Sequence, residues 1–126
     1  MELDEFCENI KAKYPDISLR ADALYDAYWN DLIEMEFSSY SWFESLANAI
    51  NDRMKKKCPA VEYMPILRAI SEEFGQGNSE VDKAIDVAFV ENLFWQVLPA
   101  DAEPYWSVMP NNLKELYVGF HSKPPL

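Results

Sequence analysis

The sequence predicts an all-α protein, an irregular bundle of about six or seven helices around one central apolar helix at residues 79–98. Three observations lead there. Ser79 to Leu98 is the densest apolar run, with Val81, Ile85, Ala88, Phe89, Leu93, Phe94, Val97 and Leu98 on a helical period and Val87, Val90 and Trp95 extending the apolar surface. The chain has only three glycines, and its β-branched residues do not gather into alternating runs. Proline and glycine then cut the remainder into helix-sized pieces.

The first helix is expected over Leu3 to Lys13. Leu3, Phe6, Cys7 and Ile10 share a face, Glu2, Asp4 and Glu5 suit the positive N-terminal end, and Pro15 stops it. A second helix is expected from about Leu19 to Met35, with Leu24, Tyr28, Leu32 and Met35 inward, Tyr25, Trp29 and Ile33 beside them, and Asp22, Asp26, Asn30 and Glu34 as an acidic outer row. Ser41 and Glu44 match a capping box opening a third helix. Its stripe is Phe43, Leu46, Ala47, Ile50 and Met54, and the basic run Arg53 to Lys57 complements its C-terminus before Cys58 and Pro59.

A fourth helix over Val61 to Phe74 places Pro65 in the first turn, where its missing amide is harmless, and Gly75 at the end. Gly75 to Asn78 reads as a linker, and Ser79 with Asp82 as the start signal of the central helix. Pro99 and Pro104 bracket a loop followed by a turn at Tyr105 to Met109. A last helix over Asn111 to Phe120 turns Leu113, Leu116, Tyr117 and Phe120 inward, and residues 122–126 form a flexible tail. One domain over 1–126 is the expectation for this length.

Charge narrows the class of partner. The chain carries 22 acids and 11 Lys and Arg, a net charge of -11, with -9 in residues 1–52 and -7 in residues 72–103. Such a field repels nucleic acid and anionic membranes and attracts basic proteins. The charges inside residues 79–98 argue against a membrane span. The N-terminus lacks the basic start and apolar stretch of a secretion signal, and a cytoplasmic location is expected. Cys7 and Cys58 lack metal-ligand spacing and read as free thiols.

Catalytic and cofactor signatures are weak. The one histidine, His121, stands beside the tail, too isolated to serve a triad. The pairs Asp22/Asp26 and Asp82/Asp86 have no histidine partners and read as solvated helix faces, so no metal or other cofactor is expected. Gly75-Gln76-Gly77 is too short for a phosphate-binding fingerprint. Glu91 and Asn92 interrupt the most apolar helix and are expected at a seam or facing a partner.

The most distinctive surface signal lies between Tyr25 and Phe43, which holds more aromatic rings than two helices can bury. Aromatic anchors among carboxylates suit a steered interface with a basic protein. The expected partner-binding residues are Asp22, Asp26, Trp29, Asp31, Glu34, Glu36, Tyr40 and Trp42.

The segment Val87-Ala88-Phe89-Val90-Glu91-Asn92-Leu93-Phe94-Trp95, then Met109-Pro110-Asn111-Asn112-Leu113-Lys114-Glu115-Leu116-Tyr117, together with the pattern from Phe6 to Pro15, resembles a group of small helical bacterial proteins similar to immunity proteins of polymorphic and contact-dependent toxin systems. The N-terminal half departs from the pattern. The resemblance implies a non-enzymatic protein that binds a cognate toxin domain, a basic nuclease fitting the charge best, and blocks its active site or substrate entry. Two other readings are an acidic adaptor or regulatory module with a non-toxin basic partner, and an enzyme using carboxylates alone, which the small size disfavours.

Overall fold

A computed structural model describes residues 1–29 and 36–126, with the side chain of Trp29 outside the description. Among the described residues every regular element is helical. The order is α1 (Leu3–Lys13), α2 (Pro15–Trp29), α3 (Ser39–Lys55), a 3-10 turn (Ala60–Tyr63), α4 (Met64–Glu73), α5 (Ser79–Lys83), α6 (Pro99–Val108) and α7 (Asn111–His121). Between α5 and α6, π-type turns (Ala84–Phe89) and a 3-10 turn (Val90–Asn92) prolong α5 into a rod over 79–92.

α3 is the element the others surround. It packs against α1, α2, α6 and the rod, and Trp42, Phe43, Leu46, Ala47, Ile50 and Met54 are all buried. Its cap lies earlier than the sequence suggests: Ser38 Oγ accepts from the Ser41 amide at 3.2 Å, so Ser41 already belongs to the first turn and no Ser41–Glu44 capping box forms. α2 also starts earlier than expected, with Pro15 as its first residue. A ring that cannot continue α1 is preorganised to begin α2. The expected continuation of α2 from Asn30 to Met35 lies outside the described residues.

The apolar run at 79–98 is not one helix. Asn78 caps α5 by accepting from the amides of Glu80 and Val81 at 3.0 and 3.1 Å. Val81, Ile85, Phe89 and Leu93 recur every fourth residue, and all four are buried. An α-helix of 3.6 residues per turn would let such a row drift around its surface. The wider π turns, which carry Ile85 and Phe89, hold more residues per turn and lie against α3. The rod then stops at Asn92: Leu93 is extended, and Phe94 and Gln96 adopt φ of 67° and 55°. Pro99 adds a local reason, because the residue before a proline is pushed toward extended geometry, which Leu98 adopts at ψ 146°.

Two further expectations are corrected. Pro99 to Val108 forms α6 rather than a loop, with Pro99 in its first turn; the carbonyl that Pro104 leaves without a donor is that of Ala100, on an exposed turn where water can serve it. On α7, Leu113 and Tyr117 are buried, but Phe120 points outward. The fourth helix divides into the 3-10 turn and α4, with Pro65 in the first turn of α4 and Gly75 beyond its end at φ 86°. Among the described residues no helix is long and apolar enough to cross a membrane.

Candidate functional site

The break in the rod creates the clearest surface feature. Because the chain leaves helical geometry after Asn92, Trp95 is turned outward and stands 59% exposed, while Phe94 is buried against Trp106 and Tyr117 at ring distances of 5.8 and 5.4 Å. Across α3 from Trp95, Tyr28 on α2 is 74% exposed. Between them runs a groove of about 460 Å³ whose lining includes Leu24, Ser45, Glu44, Asn48 and Asp52. Aromatic rims of the kind found at protein-binding hot spots stand over a floor of hydroxyls, amides, two carboxylates and the Lys55 ammonium.

Asn51, also in this lining, holds the groove's geometry. It is 1% exposed; its Nδ2 donates to the Asn92 carbonyl at 2.8 Å and its Oδ1 accepts from the Phe94 amide at 2.7 Å. One carboxamide thereby serves two backbone groups at the break, and the Asn92 carbonyl also accepts from the Trp95 amide at 3.4 Å. Asn92 donates from its own Nδ2 to the Ala88 carbonyl at 2.7 Å, so the residue that interrupts the apolar pattern ties off the rod.

Beside the groove, the structure gathers negative charge. Burial raises the Glu44 carboxyl above its ordinary range, and does the same for Asp86. Glu91 is raised first by burial and then by Asp86, with His121 opposing. Tyr40 feels all three: its hydroxyl is raised by burial and then by Glu44, Glu91 and Asp86. These acids come from α3 and the rod, elements distant in sequence, and none takes part in an ion pair among the described residues. His121 is not a free tail residue. Its ring stacks on Tyr117 at 4.1 Å, and its Nε2 lies 3.2 Å from the Glu91 carbonyl oxygen.

The residues expected at the interface are scattered by the fold. Trp42 is fully buried, its Nε1 donating to Asp22 Oδ1 at 2.8 Å, and this corrects its assignment to a partner surface: a side chain enclosed by α2 and α3 cannot meet another protein. Asp22 is bound to that indole and pairs with Lys11 at 3.4 Å. Asp26 and Glu36 are exposed, and Tyr40 is half-buried at the acidic end of α3. Asp31, Glu34 and the Trp29 side chain lie outside the described residues. Tyr28, expected inward, points outward; Trp95, expected to extend the apolar surface of the central helix, is exposed, and Asn51, expected on the outer face of the third helix, is buried. Trp95 sits four residues before Pro99, which was a signal that the apolar run had to leave the helix before its end.

The chain matches a family described as a domain of unknown function, DUF7674, over residues 7–123. It belongs to that family. The match takes in all seven α-helices apart from the first residues of α1, and therefore every residue of the groove. No curated protein and no solved structure matches the chain. Among the described residues no group of three or more His, Cys, Asp or Glu side chains is arranged to hold a metal ion.

Proposed function

We propose that this DUF7674 member is a cytoplasmic immunity protein that binds a cognate bacterial toxin domain and covers its active site or substrate entry. The observation that carries the reading is the groove between Tyr28 and Trp95, with Glu44 and Asp52 against one cation, Lys55, in its lining, on a chain of net charge -11. Exposed rings supply large contact area at small entropic cost, and the surrounding charge steers a basic partner and rejects acidic ones. A basic nuclease domain fits this surface best. The resemblance of Val87 to Trp95 and Met109 to Tyr117 to immunity proteins adds support, since the first of those segments forms the last part of the rod, its break and the exposed tryptophan. In this reading the protein has no catalytic residues. Asp26 and Glu36 contribute to the long-range field rather than to the contact itself.

The test is co-expression with the product of the adjacent upstream gene, scoring growth and co-purification. Rescue of growth, with a complex that weakens in high salt and on Trp95→Ala or Glu44→Lys but tolerates Asp26→Asn, is the expected result. A neighbour that is harmless alone and binds nothing here would end the immunity reading and leave a non-toxin basic partner to be sought.

A further inference from the structure

A second cleft, of about 760 Å³, opens where α1 turns into α2 and faces the C-terminal part of α3. Its size lies within the range of small-molecule sites. Its charge runs against the rest of the chain. Lys13 from the end of α1, Arg20 from α2 and Arg53 from α3 converge on it, against two carboxylates, Asp16 and Glu62. Three of the chain's 11 Lys and Arg thus face one cleft in a protein with 22 acids.

None of these three bases takes part in an ion pair among the described residues, although two carboxylates share their lining; the two pairs found are Lys11 with Asp22 and Lys57 with Asp101. Arg53 is half-buried and held by one edge, its Nε donating to the Tyr63 hydroxyl at 3.1 Å. That bond fixes the guanidinium plane and leaves the terminal nitrogens able to grip a planar or tetrahedral anion. Ile17 and Ile66 are buried in the cleft wall, and Tyr14 and Tyr63 add two rings. The first turn of α2 contributes as well. Pro15 has no amide, and the ladder begins with Ser18 donating to Tyr14, so the amides of Asp16 and Ile17 precede it.

We propose that this cleft binds a small organic anion, a carboxylate, sulfonate or phosphate group carried on a flat apolar body. Convergent cations would hold the charged group, and the isoleucine and tyrosine walls the body. The site is independent of the immunity reading, because the groove at Trp95 is lined by other residues.

The test uses the full chain at low salt, titrated with the fluorescent anion 1-anilinonaphthalene-8-sulfonate and, in parallel, with uncharged N-phenyl-1-naphthylamine. The expected result is saturable binding of the anion at one equivalent, weakened by added salt, with the neutral probe much weaker. Arg20→Gln and Arg53→Gln should each weaken the anion by roughly tenfold, the effect of losing one charge-assisted hydrogen bond. Neither should change the neutral probe, and Trp95→Ala should change neither probe. Arg20 is exposed, so its variant keeps the test open if Arg53→Gln disturbs folding. Equal binding of the two probes, non-saturating binding, or wild-type affinity for the anion in a folded Arg20→Gln variant would overturn the proposal.

Discussion

Asn51 on α3 holds the Asn92 carbonyl and the Phe94 amide in one carboxamide, at 2.8 and 2.7 Å, and so fixes the place where the most apolar stretch of the chain stops being helical. The bond to the Phe94 amide is buried, and Phe94 adopts a left-handed φ that non-glycine residues avoid. Asn51→Ala leaves the buried Phe94 amide without a partner, while the Asn92 carbonyl keeps the Trp95 amide at 3.4 Å, and should cost about 1–3 kcal/mol in urea unfolding. Asn51→Asp keeps the acceptor for Phe94 but sets a carboxylate against the Asn92 carbonyl, and should also destabilise. A folded Asn51→Ala variant of wild-type stability would show that the break is held by other contacts.

Trp42 and Trp95 should separate stability from binding. Trp42→Phe removes the bond to Asp22 and part of a fully buried ring, and should cost about 1–3 kcal/mol while leaving partner affinity unchanged in the folded fraction. Trp95→Ala should shift stability by no more than about 0.5 kcal/mol. As a hot-spot ring it should weaken the complex by about 2 kcal/mol or more. Calorimetric titration of both variants against the same partner decides the matter; the reverse pattern would place the interface elsewhere.

Acidification from neutral pH should stabilise the fold. Glu44, Asp86 and Glu91 have folded-state values raised above the ordinary 4.5, 3.8 and 4.5, first of all because burial penalises their charged forms. The native state therefore holds more protons than the unfolded chain between the two sets of values. The stabilising contribution is complete below the ordinary values and is lost as pH rises through the folded ones. Relief of the net negative charge acts in the same direction. Urea midpoints should rise as pH falls from 7 toward 4.5, the ordinary value of Glu44 and Glu91, and Glu44→Gln should raise the pH 7 midpoint and flatten the slope. A midpoint that falls over this interval would contradict the burial of these acids.

The two thiols should react in two classes. Cys7 is fully buried and its thiol is pushed up to about 11 by burial, so thiolate is scarce at neutral pH and out of reach. Cys58 is half-buried. A colorimetric disulfide reagent should modify one thiol per chain in the native state and the second only in denaturant. Two equally fast thiols would mean that α1 opens readily from α3.

The N-terminal half illustrates how far the sequence can be read. α1 forms over Leu3–Lys13 as its pattern predicts, because Pro15 and an amphipathic row within a few turns specify it without help from elsewhere. The interface residues were less legible. Asp22, Asp26 and Trp42 all have chemistry suited to a surface contact, but Asp22 and Trp42 meet each other across α2 and α3. Helical spacing cannot tell an indole facing a neighbouring helix from one facing a partner, since both lie on a regular row.

By itself, then, the sequence determined an acidic, helical chain whose segments begin and end at prolines, Gly75 and polar caps, because caps, stops and amphipathic rows act over a few residues. Tertiary structure alone decided that α3 lies at the centre, that the apolar run halts at Asn92, and that Trp95 rather than Trp42 reaches the surface. Those outcomes rest on Asn51 meeting a backbone 41 residues away, and on the wide turns of the rod packed against α3. Such contacts have no local signature, because their energy exists only once both elements are in place.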